Sequence, residues 1–190
     1  MLRVVQRRLK SVRIGSIVIG DEILKGYVND TNTHYLAKQA FRHGLKLERV
    51  AIVPDDKEVI AAHVKEFAAN FDYVITSGGI GPTHDDITFE SVAAAFDQQC
   101  QVNPTLESYV VKFFGKSPPD SPQMKLCTIP EHAHLIETTA SGTRFRYPVV
   151  TVNNVIILPG IPQLFERSIA NLIGLWQTER HPVVDHSTLF

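Results

Sequence analysis

The run Thr76-Ser77-Gly78-Gly79-Ile80-Gly81-Pro82-Thr83-His84-Asp85-Asp86 carries the densest chemistry in the chain. Gly78, Gly79 and Gly81 permit positive φ and close backbone approach, so successive N–H groups can point at one anion. Thr76 and Ser77 offer hydroxyl donors beside that nest, and the helix expected next adds the positive end of its dipole. The run is neither a GK[ST] phosphate loop nor a GxGxxG dinucleotide fingerprint. A tight strand-to-helix turn is the plainer use of the same glycines. Asp85 and Asp86 follow at once. Two carboxylates beside a phosphate nest repel an anion unless a divalent cation bridges them or one is protonated. Mg²⁺ is the economical companion, because it takes one or two carboxylates plus phosphate oxygens. Asp86 is also placed to cap a helix starting at Ile87, and capping does not exclude metal binding.

Two more polar stretches deserve the same scrutiny. In Gly20-Asp21-Glu22 the acids could orient a ring nitrogen or share a metal, or be solvated turn residues. In Val53-Pro54-Asp55-Asp56 the spacing Asp55-x-x-Glu58 resembles a capping box, so Asp55 serves either as a cap or as a functional acid. His34, His84, His132 and His134 form no HxxxH or HExxH pattern, and of these only His84 sits in the glycine-rich run. Arg144 and Arg146 alternate along a strand and are expected to decorate one face. Cys100 and Cys127 lie in no CxxC spacing and have no basic neighbour, which suits two unpaired thiols in a reducing compartment.

The elements that must position these residues alternate. Arg13–Ile19 reads as a buried strand, Thr31–His43 as a helix closed by Gly44, and Leu45–Val53 as a second strand. Asp55–Phe71 reads as a helix, Tyr73–Thr76 as a third strand, and a further helix runs through Val92 to Phe96. Strands alternating with helices imply right-handed crossovers and a parallel sheet covered on both faces, a three-layer α/β/α architecture. Ligands then bind outside the carboxyl ends of the strands, and the three polar loops all leave those ends. The second half departs from this rhythm. Asn103-Pro104 opens a helix ending near Gly115, a proline-rich loop follows at 116–122, and Phe145–Val152 with Val155–Leu158 flank Asn153-Asn154 as an antiparallel hairpin. A last helix is expected over Pro162–Trp176.

Composition bounds the function classes. Across 190 residues, 44% are hydrophobic and 21% charged, an ordinary globular balance long enough for one domain. A net charge of -1 argues against nucleic acid or an anionic membrane surface as a partner. No apolar run approaches the length of a membrane span. Residues 1–13 carry Arg3, Arg7, Arg8, Lys10 and Arg13 with apolar residues at helical spacing, either a basic tail or a mitochondrial targeting segment. The expected organisation is that segment, a domain over 14–177, and a tail or linker over 178–190. A cytoplasmic location is expected, with the mitochondrial matrix as its alternative.

Gly20-Asp-Glu-Ile-Leu-Lys-Gly26, Asp30-Thr-Asn32, Val53-Pro-Asp55, the run from Thr76 to Asp86, and Leu158-Pro-Gly-Ile-Pro162 occur in an order and spacing that resembles the molybdopterin-binding family of the MoaB/Mog type. That family also forms the N-terminal part of CinA-like proteins and of eukaryotic FAD synthases, and the variant here looks closest to the FAD synthase version. The resemblance places the family's two catalytic aspartates on Asp55 and Asp86 and its pyrophosphate-binding glycines on Gly78, Gly79 and Gly81, followed by Pro82. It places a second Gly-Pro loop on Pro159, Gly160 and Pro162. It implies a nucleotide or pterin ligand such as FAD or molybdopterin, Mg²⁺ or another divalent metal held by Asp85 and Asp86, and a homo-oligomer, dimer or trimer. For activity it implies metal-dependent hydrolysis of FAD. Adenylylation of molybdopterin in molybdenum cofactor synthesis is the alternative, and a non-catalytic regulatory module is the third. His84 and Asp85 stand where adenylyl-transferring members often carry basic residues. No second catalytic module follows Trp176, so FAD synthesis by the full synthase route is not expected of these residues.

Overall fold

The computed structural model describes residues 11–180 apart from 117 and 120. Most of the basic N-terminal segment therefore lies outside the described residues, as do residues 181–190. In chain order the elements are β1 (Arg13–Ile19), α1 (Asp21–Leu24), α2 (Thr31–Arg42), β2 (Lys46–Val53), α3 (Lys57–Asn70), β3 (Tyr73–Ser77) and α4 (Thr88–Ala95). Then come β4 (Cys100–Val102), α5 (Pro104–Phe114), a 3-10 turn (Pro122–Cys127), β5 (Thr128–Pro130), β6 (His134–Thr138), β7 (Arg144–Val152), β8 (Val155–Leu158) and α6 (Pro162–Arg180).

Local chemistry sets most boundaries. The Asp30 carboxylate accepts from the Thr33 N–H at 2.9 Å and starts α2. Gly44, at φ +67, turns the chain out of that helix into β2. Asn103 accepts from the N–H groups of Thr105 and Leu106, with Pro104 at the first helical position of α5. The β7–β8 hairpin turns through Asn153 at φ 51, a conformation asparagine tolerates better than most side chains.

A six-stranded sheet in the order β2-β1-β3-β8-β7-β6 forms the middle layer. β1, β2, β3 and β8 run parallel, whereas β7 and β6 join antiparallel. Leu36 and Ala40 of α2 pack with Phe165, Ile169 and Leu172 of α6 on one face. Ile60, Val64 and Phe67 of α3, Val92 of α4 and Leu106 and Val110 of α5 cover the other. The three-layer α/β/α reading and the antiparallel hairpin hold. β4 pairs with β5 in a separate two-stranded sheet, and neither strand nor β6 was expected, since each has only three to five residues. α6 continues past Trp176 and past 178 to Arg180, so the start of the expected tail is helical. Among the described residues no helix is long and apolar enough to cross a membrane.

Register brings the strand ends level. Ile19 pairs with Val53, Val18 with Ser77, and Ser77 with Leu158, so four parallel strands finish at one edge. From β1 the chain crosses through α2 on one face, and from β2 it crosses through α3 on the other. The crevice between β1 and β3 is thus the point where crossovers part.

Phe67 is fully buried, stacked obliquely on Phe71 at 5.2 Å and under the Arg49 guanidinium at 4.9 Å. A side chain at Gly15 would meet its ring at 2.6 Å, so helix and sheet are in close contact here. Phe67→Ala should therefore cost about 3–5 kcal/mol of stability, read as a lower denaturant midpoint.

Candidate functional site

The loop after β1 is tied to the loop after β2 by two backbone donors. Gly20 N–H reaches the Val53 carbonyl at 3.1 Å, and Asp21 N–H reaches Asp55 Oδ2 at 3.0 Å. Asp55 is free for this because Asp56, not Asp55, caps α3. Asp56 has the extended backbone of a cap (φ -127, ψ 123), and its Oδ1 accepts from Val59 N–H at 2.9 Å. The Asp55-x-x-Glu58 capping box is thereby corrected by one residue.

Asp85 and Asp86 divide differently from the sequence reading. α4 starts at Thr88, and the residue at its cap is Ile87, with no side-chain cap bond. Asp86 does not cap it. Asp86 Oδ2 instead accepts from the Thr83 N–H at 2.8 Å and from the Thr83 hydroxyl at 2.5 Å, closing the loop on itself. Asp85 is exposed at the crevice mouth. The start of α4 is fastened through Thr88, whose hydroxyl donates to the Gly78 carbonyl and whose N–H donates to Gly79, each at 2.9 Å.

The glycines have separate duties. Gly78 N–H donates to the Leu158 carbonyl at 3.1 Å, extending the sheet, so this amide is not open to a ligand. The N–H groups of Gly79, Ile80 and Gly81 have no protein acceptor among the described residues, and all three residues line the crevice. The nest is thus displaced one residue from the Gly78 start the spacing suggested. A Cβ at Gly81 would sit 2.6 Å from Asp86 Oδ2, so this glycine lets loop and carboxylate touch.

Thr76 and Ser77 do not contribute hydroxyls to the crevice. Both are buried inside β3; Ser77 Oγ accepts from Asn32 Nδ2 at 2.9 Å, and Thr76 Oγ1 has no hydrogen-bond partner among the described residues. Their expected role beside the nest fails because they lie within the strand. Asn32 also donates to the Gly160 carbonyl at 2.9 Å, which joins α2, β3 and the Pro159-Gly160 loop through one amide. Pro159 and Gly160 line the crevice, whereas Pro162 is the first residue of α6 and does not.

Gly20, Asp21, Glu22, Asp55, Gly78, Gly79, Gly81, Pro82, Asp85, Asp86, Pro159 and Gly160 therefore meet on one cavity of about 1280 Å³. His84 is exposed and lies outside its lining. Sequence reasoning missed Lys25, Tyr27, Phe113, Phe114, Arg146 and Arg167, which also line it. Arg146 is exposed, in keeping with a residue that decorates one face of its strand, and the face is one that borders the crevice. The signal that could have found the aromatic pair is two adjacent phenylalanines, Phe113 and Phe114, at the C-terminal end of α5, which cannot both turn to the same face of the helix.

The charges are unbalanced. Lys25 Nζ donates to Asp21 Oδ2 at 2.7 Å, which lowers the Asp21 pKa and raises that of Lys25. Asp55 is pushed up, first by burial and then by the negative charges of Glu22, Asp21 and Asp85, against the opposing pull of the Asp21 N–H. Lys125 is held elsewhere, donating to the Thr83 carbonyl at 2.9 Å. Among the described residues no three His, Cys, Asp or Glu side chains are grouped to hold a metal by themselves. The donor set still fits a hard cation that takes part of its shell from phosphate oxygens and water. Asp85 is open, and only one oxygen of Asp86 is engaged by Thr83.

A doubly wound sheet with open loop amides and carboxylates at its switch point has the crevice where α/β proteins of this class place small-molecule ligands. The family model described as "Probable molybdopterin binding domain" matches residues 15–179, and the chain belongs to that family. It is 34% identical to the Probable FAD synthase of Caenorhabditis elegans, over 98% of this chain and 38% of that protein. It is also 33% identical to a CinA-like protein of Citrifermentans bemidjiense, over 85% of this chain and 40% of that one. The chain thus spans well under half the length of these relatives. Among solved structures, the CinA protein of Thermoplasma acidophilum superposes with a TM-score of 0.74 at 27% identity, over 90% of this chain and 99% of that one. MoaB of Thermus thermophilus shares the fold at a TM-score of 0.54 and 19% identity, over 89% of this chain and 96% of that one.

Two outcomes follow from the aspartate pairs. Asp56→Ala should cost about 1 kcal/mol through loss of the α3 cap, whereas Asp55→Ala should cost none of that helix stability; chemical denaturation of the two variants compares them. Because the folded pKa of Asp55 is raised, the native chain holds that proton more tightly than the unfolded chain does. Stability is therefore lost as pH rises from 3.8 through the raised value. Asp55→Asn should raise the melting temperature at pH 7, and the gain should vanish as pH falls below 3.8.

Proposed function

We propose that the crevice hydrolyses the phosphoanhydride of a dinucleotide such as FAD in a divalent-metal-dependent reaction, yielding FMN and AMP. The observation that carries this is the set of open amides on Gly79, Ile80 and Gly81 beside a carboxylate whose pKa is raised. The amides would accept the growing charge on the phosphoryl oxygens, which is where preorganised donors contribute most. Asp55 would orient a water and take its proton as the water oxygen bonds to one phosphorus. The bond from that phosphorus to the bridging oxygen breaks, and the bridging oxygen leaves with its electron pair on the second phosphate. A raised pKa suits Asp55 to this work, since a base titrating nearer to neutral pH accepts a proton more readily. Asp85 and Asp86 would hold Mg²⁺ or a similar ion, which supplies charge neutralisation for the diphosphate.

The relatives named Probable FAD synthase favour FAD as the ligand. A second reading, adenylylation of molybdopterin, draws support from the family description and from the MoaB likeness in fold. A third, a non-catalytic regulatory module, keeps the crevice without turnover. Exposed Val50 and Ile52 on the edge strand β2 support a homo-oligomer, which sedimentation would read directly.

The test is incubation of the chain with FAD across Mg²⁺, Mn²⁺ and Co²⁺, with chromatography for FMN and AMP. Asp55→Asn and Asp86→Asn should each lower the rate by about a hundredfold or more. No product under any metal, together with ATP-dependent adenylylation of molybdopterin, would move the assignment to the second reading. Binding without either reaction would move it to the third.

A further inference from the structure

The cavity is larger than a diphosphate needs. At about 1280 Å³ it exceeds the ~300–1,000 Å³ of ordinary small-molecule pockets. Its acidic, amide-rich end accounts for one part. Part of the rest runs along α6 past Ile161, Leu164 and Arg167, and part opens between α5 and β7, where Val110, Phe113, Phe114, Leu126, Arg146 and Tyr147 line it. These walls differ from those of a buried core. Phe113 and Phe114 are 45% and 58% exposed, and the Arg146 guanidinium lies 5.5 Å from the Phe113 ring centroid. Tyr147 is rigid, its hydroxyl donating to the Leu126 carbonyl at 2.6 Å and its ring set edge-on to Tyr109 at 5.8 Å.

We propose that this chamber seats a flat, fused aromatic ring against the exposed edge of the Phe113–Arg146 pair, belonging to the same ligand whose phosphates lie on the Gly79–Gly81 amides. The inference rests on the phosphate placement argued above and adds the ring end of the ligand. Three features favour a ring over an aliphatic or peptide occupant. The apolar walls carry π faces that gain from stacking beyond simple burial. The guanidinium is planar, weakly hydrated and suited to lying over a ring. The chamber is continuous with the nest, so one molecule with a charged middle and a flat end can satisfy both at once. Flavin, pterin and adenine share this chemistry.

The experiment uses the whole chain with Ca²⁺ in place of Mg²⁺, so that the carboxylates are neutralised while binding is read, and chromatography checks that ADP and pyrophosphate stay intact. FMN and neopterin are followed by fluorescence quenching, and ADP and inorganic pyrophosphate by calorimetry. At least one of the three ring ligands should bind, and the tightest names the source of the ring. Phe113→Ala and Arg146→Ala should weaken that ligand by about tenfold, and Phe113→Tyr should restore it, while pyrophosphate affinity stays unchanged in all three. The proposal is overturned if no ring ligand binds, if ring and pyrophosphate affinities fall together, or if the substitutions alter neither. It is also overturned if Phe113→Ala abolishes self-association in sedimentation and leaves ring affinity intact, because the aromatic pair is then a contact between copies. Phe113-dependent FMN binding without FAD cleavage would sink hydrolysis and keep the ring chamber. FAD cleavage by Phe113→Ala with unchanged KM would do the reverse.

Discussion

Gly78 is held between two other stretches of main chain, and the arrangement of the crevice follows from that contact. A Cβ on residue 78 would lie 2.2 Å from the Ile19 carbonyl oxygen, at φ +113, and a Cβ on Gly160 would lie 3.3 Å from the Gly78 Cα. Backbone carbonyls cannot yield as a side chain can, so any residue but glycine at 78 must push β1 and β3 apart. With glycine there, the loops after β1, β3 and β8 touch directly, and Asn32 ties two of them by its amide. The loop after β2 joins through Gly20 and Asp21. Four chain segments distant in sequence thus share one floor.

Neighbouring aspartates share the work in a way that spacing does not reveal. In each pair, Asp55-Asp56 and Asp85-Asp86, one acid secures its own segment, Asp56 as a cap and Asp86 through Thr83, although Asp86 lines the crevice as Asp55 and Asp85 do. Asp56 caps α3 and frees Asp55; Asp86 closes the loop on Thr83 and leaves Asp85 open. The consequence is a pocket whose carboxylates, Asp21, Glu22, Asp55, Asp85 and Asp86, outnumber its cations Lys25, Arg146 and Arg167, and Lys25 is already paired with Asp21. A dianionic phosphate could not enter such a place alone. The three open amides reduce the repulsion, and a cation shared between carboxylates and phosphate would remove most of it.

The parallel half of the fold was legible because its signals are local and long. Gly44 after α2, Asn103-Pro104 before α5 and the β-branched run of β1 each state an element in a few residues, and alternation then dictates the layers. The convergence of the loops after β1, β2 and β3 was legible for the same reason. What escaped depended on tertiary partners. Whether Asp55 or Asp56 caps α3 turns on one residue's backbone angles. The burial of Thr76 and Ser77 depends on where β3 ends, and one further residue of strand takes both hydroxyls out of the crevice. Alternation placed Arg146 on one face of its strand, where it is exposed, but the Phe113 ring it lies over comes from α5 and is not readable from β7.

The two halves of the sheet divide the work by strand length and direction. β8 has four residues and ends at Leu158 with the other parallel strands, but its antiparallel neighbour β7 has nine. Pairing of Val152 with Val155 and Val150 with Ile157 uses up β8 well before the start of β7 is reached. Residues 144–148 therefore project past the edge where the parallel strands stop. They remain ordered as strand because β6 supports them on the other side, Thr138 pairing with Arg144. An all-parallel sheet would end there and leave the ligand loops open to water. The overshooting strand raises a wall beside them, and α5 supplies the facing wall. Loops from the parallel strands can thus grip charge while the antiparallel addition encloses apolar surface, a division set by strand length and direction rather than by any single residue.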